Sequence, residues 1–259
     1  MPFADLPDVK IHYELAGAES FPVLLFSNSL GTNLSMWDGQ LETFARYFRI
    51  LRYDTRGHGQ SDAPPGPYNV EQLSGDVLRL LDVLQLDHVY FCGLSMGGTT
   101  GMFLGANAPK RFQKLVLCNT AAKFGPADAW STRIEKVKSG GMKAVAGTVL
   151  ERWLTPEYRS AHPEEAQSVL AMLESANPEG YVACCAAVRD ADMQNQLKNI
   201  SVPSLVVAGT FDPAATPAVG QELAHAIPGA SYVELPASHL SNMEAPDEFN
   251  RQVLRFLLT

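Results

Sequence analysis

His88-Val89-Tyr90-Phe91-Cys92-Gly93-Leu94-Ser95-Met96-Gly97 runs from an apolar stretch into a G-x-S-x-G pattern, and a helix-like segment follows. The order predicts a strand, a sharp turn and a helix, with Ser95 at the apex of a nucleophile elbow. Side chains two residues either side of such a serine would strike the neighbouring strand and helix, so glycine is required there. Gly93 and Gly97 meet that requirement. A pattern with three fixed positions also arises by chance, so its surroundings must carry the reading.

Outward from the elbow, short β-branched or aromatic runs alternate with helix-period segments, as in an α/β sheet. Strands are expected at Lys10–Leu15, Val23–Ser27, Phe48–Tyr53, Val89–Cys92, Lys114–Cys118, Ser204–Ala208 and Tyr232–Leu235. Val70, Leu73, Val77, Leu80, Leu81 and Leu84 recur at three- and four-residue steps and predict one apolar helix face. The closely spaced early strands predict an antiparallel edge, whereas the later ones leave room for the crossovers that parallel pairing needs. From about Ala122 to Asn199 the alternation stops. Helices broken at Gly140-Gly141, Thr155-Pro156, His162-Pro163 and Asn177-Pro178 are expected there. The expected organisation is a core of residues 1–121 and 200–259, mostly parallel sheet flanked by helices, with residues 122–199 as a helical lid.

The chain has 259 residues, 46% of them hydrophobic, enough for a large core. Its formal charge of −8 disfavours nucleic acid and anionic membranes as partners. An anionic small molecule would need an Arg or Lys inside its pocket. The first residues lack a basic stretch followed by an apolar one, and no apolar run approaches a membrane span, so a cytoplasmic location is expected. Four cysteines, two of them adjacent at Cys184-Cys185, fit neither a disulfide framework nor a zinc knuckle, and are read as reduced core residues. The pattern says nothing of oligomeric state.

A serine hydroxyl needs a base within hydrogen-bond reach and a third group to orient that base. Asp212 follows the expected strand Ser204–Ala208, and His239 follows Tyr232–Leu235, giving the chain order Ser, Asp, His. All three would emerge at the carboxyl edge of the sheet, where ligands gather in open α/β folds. The backbone amides of Met96 and Leu30, the latter in Ser27-Asn-Ser-Leu-Gly-Thr32, are the candidate oxyanion donors. His12, His88, His162 and His225 have no strand-end setting with a partner, and His58 is assigned to a tight loop.

Asn28-Ser-Leu-Gly-Thr32 with Met36-Trp37, Arg52-Tyr-Asp-Thr-Arg-Gly-His-Gly59 with Ser61-Asp62, Gly93-Leu-Ser-Met-Gly-Gly98, the Gly209-to-Asp212 turn and His239 together resemble the α/β-hydrolase fold superfamily along nearly the whole chain. Asn28-Ser29 stands where His-Gly is usual. Within the superfamily the sequence is most similar to 3-oxoadipate enol-lactonases, through its Ser-Asn-Ser-Leu-Gly loop and the segment Gly180-Tyr-Val-Ala-Cys-Cys-Ala-Ala-Val-Arg-Asp190. The resemblance implies a serine hydrolase of bacterial aromatic catabolism, the β-ketoadipate pathway, that opens a small lactone without metal or organic cofactor. That substrate carries a carboxylate. Arg133 and Arg189 are the candidate partners for it, and Trp130 and Trp153 candidate pocket walls. A general carboxylesterase, a carbon–carbon bond hydrolase and a cofactor-free perhydrolase share the same triad. A hydrolase-fold receptor is the non-enzymatic alternative, and a haloalkane dehalogenase is disfavoured because its nucleophile is an aspartate.

Overall fold

Val23–Ser27 is buried along its whole length, which places it in the middle of a sheet covered on both faces. In the computed structural model, which describes residues 2–259, this strand is β3 of eight: β1 (Phe3–Asp5), β2 (Lys10–Ala16), β3, β4 (Arg49–Tyr53), β5 (Val89–Leu94), β6 (Phe112–Cys118), β7 (Ser204–Gly209) and β8 (Ser231–Leu235). The spatial order is β1-β2-β4-β3-β5-β6-β7-β8. β2 pairs antiparallel with β1 and β4, and every pairing from β4 to β8 is parallel. The antiparallel edge therefore lies where expected, but its membership differs. Val23–Ser27 leaves it to sit between β4 and β5, because only a central position buries all five side chains. The edge gains β1, whose three residues are too short for a periodicity signal.

Successive strand residues feed opposite faces. Leu24, Phe26, Cys92 and Leu94 join one apolar cluster, while Val23, Leu25, Val89 and Phe91 join the other. Helices cover both faces: α1 (Asp38–Phe44), α2 (Val70–Val83) and α3 (Met96–Asn107) lie between the early strands. The periodic segment from Val70 is α2, started by a reciprocal cap in which the Asn69 side chain accepts from the Gln72 amide and the Gln72 side chain accepts from the Asn69 amide.

Between β6 and β7 the chain forms five helices, α4 (Ala127–Gly140), α5 (Lys143–Trp153), α6 (Pro156–Ala161), α7 (Pro163–Ser175) and α8 (Pro178–Asp190). Proline opens α6, α7 and α8 at the first helical turn, where a missing N–H costs nothing. Ile134, Val137, Leu173 and Tyr181 of this insertion belong to the same cluster as Leu24, Phe26 and Trp37. The insertion thus packs as an outer layer on one sheet face. α9 (Pro217–Ala226), α10 (Ser241–Glu244) and α11 (Pro246–Leu258) complete the chain, the last burying Phe249, Val253 and Leu257 at four-residue steps.

Gly93 and Gly97 are required by contact as the elbow predicts. A Cβ on Gly93 would lie 2.7 Å from the Phe91 ring, and one on Gly97 would overlap the Ser27 carbonyl oxygen and reach within 3.0 Å of that of Asn28. Gly97→Ala should lower unfolding free energy by about 2 kcal/mol or more, since backbone on both sides must move. Gly147, exposed in α5 with open space where a Cβ would go, makes the opposite case. Gly147→Ala should raise stability by about 0.5–1 kcal/mol. Urea midpoints at constant m-value check both.

Candidate active site

Leu94 ends β5 and Met96 begins α3, so Ser95 alone makes the turn, with φ +57° and ψ −113°. A side chain in that region carries strain of roughly 1–3 kcal/mol, which the surroundings must hold. They do so through the backbone on both sides of Ser95. Its amide donates to the Cys118 carbonyl at 2.9 Å, and its carbonyl accepts from the Thr120 hydroxyl at 2.8 Å and the Thr99 amide at 3.0 Å. The hydroxyl is left at a cavity of about 240 Å³ that His239 also lines.

β7 delivers Asp212 and β8 delivers His239 to the same edge. His239 Nδ1 donates to Asp212 Oδ2 at 2.8 Å, which fixes the tautomer and leaves Nε2 as the basic atom. Asp212 Oδ1 accepts from the Ala214 and Ala215 amides at 2.7 and 3.0 Å, and Oδ2 also accepts from Asn119 Nδ2 at 3.1 Å. Burial pushes the Asp212 carboxyl up, but the adjoining imidazole and the two amides outweigh it and hold it below the usual carboxylate range. Asp212 therefore stays charged at neutral pH. Its stabilising contribution is present above the ordinary carboxylate pKa and is lost as pH falls through the depressed folded value. Trp153 stacks on His239 with centroids 6.2 Å apart and rings inclined by 24°.

In the loop after β3, the Ser29 amide points at Met36 Sδ, the Gly31 amide donates to His58 Nε2 at 2.8 Å, and the Thr32 amide donates to the Ser29 carbonyl. The Leu30 amide lies among these and has no acceptor among the described residues, and neither has that of Met96 at the first position of α3. Leu30 and Ser95 line one cavity, and Met96 follows Ser95 directly at the start of α3.

Trp130, Arg133 and Trp153 line that cavity, with the Arg133 guanidinium over the Trp130 ring at 4.7 Å. Arg189 does not. It lies in the last turn of α8, forks onto the neighbouring Asp190 at 2.7 and 2.8 Å, and borders a separate open groove beside Pro64–Pro67. The periodicity of α8 explains this, because Tyr181, Cys184, Cys185 and Val188 take its inward face. Arg152 lines the cavity instead, one residue before Trp153, which could have drawn attention to it. Neither Arg133 nor Arg152 pairs with a carboxylate among the described residues. Asn119 was also missed. It follows β6 at the carboxyl edge, the same strand-end rule that finds Asp212 and His239.

His12 has a partner that its sequence setting did not reveal, since its Nδ1 meets Asp54 Oδ2 at 2.7 Å. The pair lies outside the Ser95 cavity, and Asp54 chiefly organises loops by accepting from the Leu34 and Gln60 amides. All four cysteines are free and buried. Burial pushes the thiols of Cys92 and Cys184 well up and that of Cys185 to about 12, so they are not thiolate nucleophiles.

The chain belongs to the alpha/beta hydrolase fold family, whose description matches residues 22–246. It is 45% identical over 246 residues to 3-oxoadipate enol-lactonase 2 of Acinetobacter baylyi, covering 95% of this chain and 92% of that one. Among solved structures, it matches the enol-lactonase from Burkholderia xenovorans with a TM-score of 0.98 and 46% identity over the whole of both chains. A thermophilic esterase from Thermogutta terrifontis matches at 0.90 and 29% identity, covering 96% of this chain and 93% of that one.

Asp212→Asn should lower kcat by a factor on the order of 10⁴, because the amide no longer holds the Nδ1–H tautomer. It should cost only about 1–3 kcal/mol of stability, from one buried amide donor left unpaired between Asn119 and the new side chain. Steady-state kinetics beside thermal unfolding separates the two effects.

Proposed function

We propose that this protein is a serine hydrolase that opens 3-oxoadipate enol-lactone to 3-oxoadipate, in bacterial aromatic-compound catabolism. The observation that carries the reading is a single cavity bearing a strained Ser95, an Asp212-oriented His239 and two arginines without carboxylate partners. Its likeness to two enol-lactonases over essentially the full chain supports the substrate.

In this reading His239 Nε2 takes the Ser95 proton as Oγ attacks the lactone carbonyl, and Asp212 stabilises the imidazolium. The Leu30 and Met96 amides bind the oxyanion, and the positive end of α3 adds to them. Collapse expels the ring oxygen as an enolate, which receives the proton from His239 and tautomerises to the ketone. The leaving group remains tethered to the acyl-enzyme, so tautomerisation stops it from closing the ring again. Water activated by His239 then releases the product. Each step is acyl or proton transfer and calls on no cofactor.

Ligand pockets commonly span about 300–1,000 Å³, so a cavity of about 240 Å³ favours a small acyl group. The net charge of −8 repels an anion at long range, and Arg133 would offset this locally by gripping the substrate carboxylate in a fork. No helix is long and apolar enough to cross a membrane among the described residues. The five-helix insertion, residues 122–199, is assigned as the lid that supplies this selectivity.

Ser95→Ala should abolish hydrolysis of both enol-lactone and short neutral esters while leaving the fold intact, as read by lactone absorbance and circular dichroism. Arg133→Ala should raise KM for the lactone roughly 10–100-fold and leave KM for a neutral ester within about 3-fold, the worth of one charge-assisted pair. Brisk ester turnover with no lactone turnover in the wild-type protein would make it a general carboxylesterase instead.

A further inference from the structure

His58 is buried, lies in the Asp54–Gly59 turn, and contributes nothing to the cavity that Ser95 lines. Its ring is nevertheless spoken for on both nitrogens. Nε2 accepts from the Gly31 amide at 2.8 Å, and Nδ1 faces the Arg56 carbonyl at 3.3 Å. An acceptor at Nε2 and a carbonyl at Nδ1 fit only one state, the neutral imidazole with its proton on Nδ1. Burial pushes the His58 pKa down, against the Arg56 carbonyl and Asp54, and so favours the same state.

The other polar contacts of residues 29–32 are local in sequence, to the Ser29 carbonyl and to Met36 Sδ just beyond the segment. The Asn28 side chain on the Tyr53 carbonyl and the Leu34 amide on Asp54 tie down the two flanks of the loop, and between them the His58 bond holds residues 29–32 to the Asp54–Gly59 turn, one residue from the Leu30 amide. The ring is itself held. The His58 amide donates to the Thr55 carbonyl, and Cys184 Sγ of α8 stands 3.9 Å from Nδ1. α8 presses on the turn from outside, where a Cβ on Gly57 would come within 2.6 Å of Gly180 Cα.

We propose that His58 is a positioning residue for the reaction: its neutral imidazole, by accepting the Gly31 amide, aims the adjacent Leu30 amide at the oxyanion. The inference rests on the reading of Ser95 as nucleophile and Leu30 as oxyanion donor. An amide misdirected by a fraction of an ångström still permits substrate to bind, so the role belongs to the transition state and to tetrahedral adducts.

The test uses the whole protein with a short neutral ester, a small alkylboronic acid and adipate. Ser95 adds to the trigonal boron, its proton passing to His239, and the resulting tetrahedral boronate places a hydroxyl in the oxyanion position. Adipate binds without that adduct. Boronate inhibition of the wild type, lost in Ser95→Ala, tests the underlying hydrolase reading by itself. Given that, His58→Leu should lower kcat about 10–100-fold and weaken boronate by a similar factor, with ester KM and adipate affinity within about 3-fold. His58→Gln, whose side-chain oxygen can accept the same amide, should recover kcat to within about 5-fold of wild type. Unchanged kcat and boronate affinity in His58→Leu would overturn the proposal, and so would equal losses for boronate and adipate with no rescue by glutamine. Should the leucine variant not fold, nitrogen-15 spectra of the wild type decide. A proton on Nδ1 and none on Nε2 supports the role, and the opposite tautomer ends it.

Discussion

The backbone of Gly97 lies against the carbonyl oxygen of Ser27, so closely that a single methyl group would not fit. That contact joins the first turn of α3 to the end of β3, and the rest of the site depends on it. α3 carries the Met96 amide and follows Ser95; the end of β3 leads into the loop that carries Leu30. Because the two segments touch through main chain, Ser95 and both proposed oxyanion donors form one unit. Ser95 can then hold a backbone conformation that an isolated peptide would abandon, since three partners, on Cys118, Thr99 and Thr120, keep it there.

Around that unit the charges are arranged by environment. Asp212 is buried, yet amides and the imidazole outbid desolvation and keep it ionised. Asp76, equally deep, goes the other way: burial raises it more than its fork with Arg56 lowers it. The two carboxylates differ in what answers their burial: an imidazole and backbone amides at Asp212, the Arg56 guanidinium at Asp76. At the cavity the sign reverses, and Arg133 and Arg152 stand without carboxylates in a chain that is acidic overall.

Much of this was legible because strands end where chemistry begins. Ser95, Asp212 and His239 each follow an apolar run of the length a buried strand needs, and local sequence reveals that without tertiary information. The parallel insertion of Val23–Ser27 between β4 and β5 was less visible, since sequence proximity argues for hairpins and only full burial argues for the centre. Arg189 shows a different limit. Its residue type and segment suit a carboxylate, but helix rotation turns it to the surface, where Asp190 takes it. Arg152 and the His58 bond to Gly31 depend on how α5 and the Asp54–Gly59 turn dock, which no single stretch of sequence encodes.

The division follows from where the cavity walls come from. Ser29, Leu30, Ser95 and His239 belong to strand ends of the sheet, whose geometry any chain of this fold must keep to make the turn. Trp130, Arg133, Arg152 and Trp153 belong to helices of the insertion, which answer only to packing on one apolar face. The proposed reaction type is therefore constrained by the sheet and readable from motif, while the proposed substrate choice rests on a layer free to vary in helix length and rotation. The two are still mechanically connected. α8 rests on the turn that holds His58, and His58 holds residues 29–32 after β3, so the helical insertion bears on the sheet edge through main-chain contact and one hydrogen bond.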